Sequence, residues 1–381
     1  MGTAQWSPRR VHTPRYPRGV SSTASTPASS ATSDTFAESL RRTEAIRSDL
    51  DAHPERYRVL TGDRPTGALH LGHYFGTLAS RVVLQDQGVE TWVLVADYQV
   101  ITDRETTGNI QDNVRGLVLD YVAAGIDPER STIFTHSAVP ALNQLLLPFL
   151  SLVTEAELLR NPTVKAELAA SERALSGLLL TYPVHQAADI LFCKGNLVPV
   201  GKDQLPHIEQ TRVVARRFNE RYAKKNPVFP EPQALLSTSP EIPGLDGRKM
   251  SKSYGNTIAL GMTADETAKV IRKAPTDSDR HISFDPANRP GVSALLTSAA
   301  LATGGDPVQI AEEIGDGGGG ALKAFVTEAI NERFAAHRAR RAELAADPGY
   351  VHEVLRRGNE RANEVAEKTL DEVRAAMGMV Y

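Results

Sequence analysis

Two histidines three positions apart, His70 and His73 in the stretch TGDRPTGALHLGHYFG (residues 61–76), are the first side chains whose types and spacing could do chemistry. Gly62 and Gly67 let the backbone turn tightly beside a ligand, and His70, Leu71, Gly72 and His73 fall where a helix should begin. N–H groups at a helix start and neutral imidazoles donate to anions, and Gly72, lacking a β-carbon, would let a flat adenine or ribose lie against the chain. The stretch suits phosphate binding, although the tetrad alone also reads as a glycine-punctuated turn with surface histidines. Far along the chain, GRKMSKSYGN (247–256) places Lys249 and Lys252 around Met250 and Ser251 in a loop bounded by Gly247 and Gly255. Two ammonium groups on such a loop can swing onto a polyphosphate. A third stretch, TYPVHQAADILF (181–192), carries Tyr182, Gln186 and Asp189 four and then three residues apart, on one face of a helix whose first turn would hold Pro183. A polar stripe in so apolar a segment should face a ligand, because an unpaired buried carboxylate is costly.

The elements that must position these residues alternate between short β-prone runs and longer helical patterns. YRVLTG (57–62), TWVLVAD (91–97), STIF (131–134) and NLVPVG (196–201) are the strands, and the pattern predicts an α/β fold: a doubly wound, Rossmann-like parallel sheet with helices on both faces. Residues of about 141–180 form a helical insertion over the carboxyl edge of that sheet. After Gly261 no strand is expected, and Val351, Val354, Leu355, Ala362, Val365, Ala366, Leu370, Val373 and Met377 recur near a 3.5-residue period. The predicted organisation is therefore a disordered N-terminal tail (1–34), rich in Ser, Thr, Pro and Arg; a helix (35–56); an α/β catalytic domain (57–260); and an all-helical C-terminal domain (261–381). The tail has some character of an organellar transit peptide, but its four prolines oppose the helix such peptides form.

With 381 residues, 41% apolar and 23% charged, the chain is long enough for two domains, and no stretch reaches the roughly 20 apolar residues that span a bilayer. A net charge of −3 does not signal nucleic-acid binding, nor does it exclude a local basic patch. The lone Cys193 excludes an intramolecular disulfide and a zinc site built on cysteine pairs; it fits a reducing, cytoplasmic compartment, as a small buried apolar residue.

Taken together, the HLGH tetrad and the KMSKS loop at opposite ends of one α/β unit resemble the HIGH and KMSKS signatures of class I aminoacyl-tRNA synthetases. The likeness narrows at YPVHQAADI and at VPVGKDQLPHIEQTRVVARRFN (198–219), which are similar to the tryptophan branch of that family, and at APTDSDRHISFDPANRPGVSALL (274–296). It runs from about Arg58 to the C-terminus. The resemblance implies that His70, Gly72 and His73 hold ATP together with Arg64, Pro65, Thr66, Gly201, Lys202, Asp203 and Ile242, the ribose falling to Asp203. It further implies that Lys249, Met250, Ser251, Lys252 and Ser253 close over the phosphates, with His70, His73, Lys249, Ser251 and Lys252 acting in catalysis. By the same resemblance Asp189 accepts the indole N–H, Tyr182 and Gln204 bind the ammonium and carboxylate, Val198 and Val200 flank the ring, and Gln186 and Gln99 line the pocket. Implied partners are ATP with Mg2+, L-tryptophan, tRNA(Trp) and a second copy of the chain. No zinc, organic cofactor, dedicated metal site or membrane association is expected.

The sequence departs from the family pattern at Gln186, where methionine is common, Gln99, where histidine is common, Arg64, where glutamine is common, and Ser293, where asparagine is common. These departures bear on the polar lining of the pocket. The Tyr, Gln, Asp stripe also occurs in tyrosine enzymes, where it reads a phenol hydroxyl, so tyrosine is the alternative substrate. Two more distant readings are a nucleotidylyltransferase sharing the HxGH element and a non-catalytic synthetase paralogue.

Overall fold

The computed structural model describes residues 29–102, 106–170, 175–236 and 242–381. Its framework is a five-stranded, all-parallel sheet of β1 (Arg58–Asp63), β2 (Glu90–Val95), β3 (Thr132–Thr135), β4 (Leu197–Val200) and β5 (Gln233–Leu236), in spatial order β3-β2-β1-β4-β5. Side chains alternate across such a sheet, so Trp92 and Leu94 enter one apolar core with Phe134 and Phe192, while Val93 and Val95 enter the other with Leu117 and Ile133. The expected doubly wound fold is present. β5 was not among the expected strands: it is only four residues long and follows Pro230 and Pro232, which mask the apolar run.

Strand order reverses between β1 and β4. These two pair at Val59 and Leu197, and the residues beyond, Leu60–Asp63 and Val198–Val200, line the two sides of a cleft. Doubly wound sheets bind ligands at this switch point.

Each sheet edge is covered by a helix from one end of the chain. The helix expected over 35–56 spans Ser29–Ala52, starting within the segment expected to be a tail; no proline or glycine between residues 29 and 34 stops it. The remainder of that tail, residues 1–28, lies outside the described residues. At the β5 edge the helix offers Thr43 Oγ1, which accepts the Leu236 N–H at 3.1 Å, and Arg47, which donates to the Leu236 carbonyl at 3.1 Å. The β3 edge is closed by the last helix, Tyr350–Ala376: Asn359 Oδ1 accepts the Thr135 N–H at 2.9 Å, and Thr369 donates to the Phe192 carbonyl at 2.6 Å. A β-carbon on Gly358 would stand 1.8 Å from the Ile133 carbonyl oxygen, so only glycine permits this approach. The apolar stripe of that helix meets both layers: Ala362, Ala366, Leu370 and Val373 share a core with Trp92 and Phe134 of the sheet and with Ala141 and Leu142 of the helix Pro140–Gln144. An unpaired strand edge needs such a cover.

Helices Pro140–Gln144, Leu146–Leu150, Glu155–Arg160 and Pro162–Ala170 form the insertion, followed by Gly177–Leu191. That last helix differs from the expected one in its start. Ser176 caps it by accepting the Leu179 N–H at 3.0 Å, so Pro183 falls inside the helix, not in its first turn. Beyond residue 261 come Ala264–Lys273, Pro290–Thr303, Pro307–Ile314 and Gly318–Ala345, with no strand among the described residues.

Candidate active site

The two signature stretches, far apart in sequence, are joined by backbone bonds. Leu71 N–H donates to the Ile258 carbonyl at 3.0 Å and Leu260 N–H to the Leu69 carbonyl at 2.9 Å, around an antiparallel bridge between His70 and Ala259. His70 precedes the helix, its N–H donating to His73 Nδ1 at 3.1 Å, and the two rings lie 3.8 Å apart. Burial, then His73 and Lys252, pushes His70 down to about 3, and burial lowers His73 as well. Both imidazoles are therefore neutral at pH 7 and able to donate to phosphate. Residues Tyr74–Leu78 widen into a π-turn, a distortion common beside functional sites.

The lysine loop folds over this cradle. Asn256 organises it: Oδ1 accepts the Ser251 N–H at 2.9 Å, and Nδ2 donates to Asp246 Oδ1 at 2.7 Å and the Lys249 carbonyl at 3.1 Å. Gly247 and Gly255 take φ of 80° and 64°, conformations that glycine adopts without strain. Lys252 Nζ reaches 3.4 Å from the point where a Gly67 side chain would begin. Met250 Sδ accepts the Gly72 N–H at 3.3 Å and is as close to the missing β-carbon, whose other neighbour is the His70 ring at 3.0 Å. The space expected for adenine against Gly72 is thus taken by Met250, and a nucleotide there requires the loop to move. Ile242 is buried beside Met250; Arg64, Lys202, Asp203, Lys249 and Lys252 are exposed, Pro65 is buried and Thr66 half-buried. The Ser253 side chain lies outside what the structure describes.

The switch-point cleft has a volume of about 310 Å³. All seven residues expected to contact the amino acid line it: Gln99, Tyr182, Gln186, Asp189, Val198, Val200 and Gln204, joined by Arg64 and Gly201 from the expected nucleotide set. The histidine and lysine signatures stand beside this lining, not in it. Asp189 is 4% exposed, and His136 Nε2 donates to its Oδ1 at 2.8 Å. Tyr182 Oη lies 3.2 Å from His207 Nε2, and burial pushes His207 down to about 4. Gln204 donates to Asp203 Oδ2 at 2.9 Å.

Sequence reasoning missed several residues here. Asp63, at the end of β1, takes a bond of 2.6 Å from Arg81 and another of 2.6 Å from the Tyr121 hydroxyl. Despite burial, that guanidinium holds the Asp63 carboxyl down at about 2. Asp63 sits inside the first signature stretch, His185 inside TYPVHQAADILF and His207 inside the stretch 198–219, so these three could have been found there; Arg81, Tyr121 and His136 belong to no motif read from the sequence.

The profile of the family described as tRNA synthetases class I (W and Y) matches residues 53–335. The chain belongs to this family. A tryptophan–tRNA ligase of Streptococcus pyogenes serotype M1 is 41% identical over 337 residues, covering 85% of this chain and 98% of the relative. One from Clostridium longisporum is also 41% identical, covering 85% and 97%. Among solved structures, the tryptophanyl-tRNA synthetase of Campylobacter jejuni, complexed with ADP and tryptophan, superposes with a TM-score of 0.74 at 30% identity, covering 84% of this chain and 99% of that one. The helix Ser29–Ala52 precedes the stretch matched to the synthetase family.

Proposed function

We propose that this chain is a tryptophan–tRNA ligase. The observation that carries the reading is Asp189, a buried carboxylate in the wall of a cleft that Val198, Val200 and Ile190 also line. An acceptor so placed pairs with an indole N–H and rejects side chains that leave it unpaired. Relatives named as tryptophan–tRNA ligases support the choice over tyrosine.

In the first step a carboxylate oxygen of tryptophan attacks the α-phosphorus of ATP, the bond to the β-phosphate oxygen breaks, and pyrophosphate leaves. Tyr182 and Gln204 hold the ammonium and carboxylate, while Gln99 and Gln186 complete the lining. Neutral His70 and His73 donate to the phosphates beside Gly72, with Arg64, Pro65, Thr66 and Ile242 shaping the nucleotide site and Gly201, Lys202 and Asp203 on its ribose side. Lys249, Ser251, Lys252 and Ser253 close over the phosphates, and the two ammonium groups stabilise the charge that develops on pyrophosphate. Magnesium enters bound to the phosphates of its substrate ATP. In the second step a terminal ribose hydroxyl of tRNA(Trp) attacks the activated carbonyl and AMP departs.

The helical region after residue 261 reads the anticodon, and two copies pair through the inserted helices, where Leu147 is 77% exposed. A lone cysteine fits a reducing compartment, the cytoplasm, and burial pushes the Cys193 thiol up to about 12. Among the described residues no helix is long and apolar enough to cross a membrane. The test is ATP–pyrophosphate exchange with each of the twenty amino acids. Exchange with tryptophan alone is expected, and exchange with tyrosine in its place would overturn the reading.

A further inference from the structure

Behind the cleft lies a buried polar network whose two histidines, His136 and His185, the proposed reaction leaves without a role. It contains His136, His185 and Asp189, which each offer a ligand atom within 4.8 Å of the others, the arrangement of a metal site. The hydrogen bonds point to a different use. Asn143 Nδ2 donates to the carbonyls of His136 at 2.8 Å and Val139 at 3.0 Å, which turns its Oδ1 toward His185 Nε2 at 2.9 Å. An amide oxygen only accepts, so His185 must carry its proton on Nε2. Burial lowers the His185 pKa, and the neutral ring then leaves Nδ1 bare to accept from Gln99 Nε2 at 2.7 Å. Gln99 Oε1 is in turn 3.0 Å from the Thr102 hydroxyl. Both His185 nitrogens are thereby engaged. His136, fully buried, stacks on His185 with ring centres 4.6 Å apart and on Tyr98 at 6.2 Å, and its Nε2 meets Asp189 Oδ1.

We propose that His136 is a positioning residue for substrate selection: it ties one oxygen of Asp189 and so fixes the other as the acceptor that reads an indole N–H, while the Asn143–His185–Gln99 relay fixes Gln99 as a donor at the cleft wall. Gln99 has two amide hydrogens and His185 takes one, so the second belongs to the cleft that Gln99 lines. The ligand class is an indole amino acid, polar on one ring edge. This inference rests on the proposed role of Asp189.

The experiment measures, by pyrophosphate exchange, the ratio of kcat/KM for tryptophan to that for its benzothienyl analogue, in which sulfur replaces the indole N–H. A ratio within one enzyme is insensitive to the fraction folded. His136→Phe keeps the ring stack without the donor, His136→Gln restores an N–H donor, and Asp189→Asn removes the carboxylate. The ratio should fall about tenfold in His136→Phe, mainly through KM for tryptophan, recover in His136→Gln, and fall at least as far in Asp189→Asn. A loss in Asp189→Asn with a wild-type ratio in His136→Phe overturns the inference alone; a wild-type ratio in Asp189→Asn overturns the underlying reading. Should His136→Phe not fold, nitrogen-15 spectra of the wild-type histidines decide the matter: His185 should appear as the neutral Nε2–H form, and an Nδ1–H form contradicts the relay.

Discussion

The proposed nucleotide cradle and the proposed tryptophan cleft meet at one switch point but are built differently. The cradle is held by main-chain bonds between residues 69–71 and 258–260, and its charged groups, Lys249 and Lys252, are exposed on a glycine-bounded loop. The cleft is held by side chains: His136 on Asp189, His207 on Tyr182, His185 on Gln99, all deeply buried. Phosphate is recognised by backbone geometry and movable charge, whereas an uncharged ring demands fixed, desolvated polar groups. Mutations on the two sides should therefore separate, with rate responding to the cradle and tryptophan KM to the cleft.

The largest effect is expected on the cradle side. Lys252→Ala should slow adenylate formation by about 100-fold or more, the usual cost of losing a group that acts on developing charge, while tryptophan binding changes little. Equal losses in a pre-steady-state rate and in tryptophan affinity would erase the distinction. Gly72→Ala comes next. Its methyl group would lie 3.0 Å from the His70 ring and 3.3 Å from Met250 Sδ, so KM for ATP should rise about tenfold with tryptophan affinity nearly constant. A rise in KM for tryptophan alone would contradict the assignment of Gly72 to the nucleotide.

Smaller and broader is the response to acid. His70 and His207 ionise in the unfolded chain near 6.5, but burial holds them down to about 3 and about 4 in the fold. The folded state thus binds fewer protons, and stability present in full above pH 6.5 is lost as the pH falls toward those values. The melting temperature should drop between pH 6.5 and 4, and His207→Gln, which cannot titrate yet still offers Tyr182 an acceptor, should flatten that slope. An unchanged slope would mean that His207 is not held neutral by its burial.

How much of this was legible in the sequence follows the same division. Local signals gave His70, Gly72, His73 and the Lys249–Lys252 loop, because phosphate sites concentrate glycine and charge within a few residues. The Tyr182, Gln186, Asp189 stripe was readable from helical spacing, and it does line the cleft. Nothing local marks His136 or Asn143 as partners of residues 53 and 42 positions away, since those contacts exist only once the sheet and insertion have packed. For the same reason β5 and its cover by the N-terminal helix went unread: a four-residue strand between prolines has too little pattern of its own. Pro183 shows a related limit, because tertiary packing and the Ser176 cap carried the helix through a residue that propensity would place at its start.

The measurement that tests the account most directly is pyrophosphate exchange with tryptophan, comparing the wild-type enzyme with Asp189→Asn. The account predicts exchange by the wild type and a loss of 10- to 100-fold in kcat/KM for the variant, about the value of a charged hydrogen bond to the indole. Equal kcat/KM in the two proteins would show that Asp189 does not read the substrate.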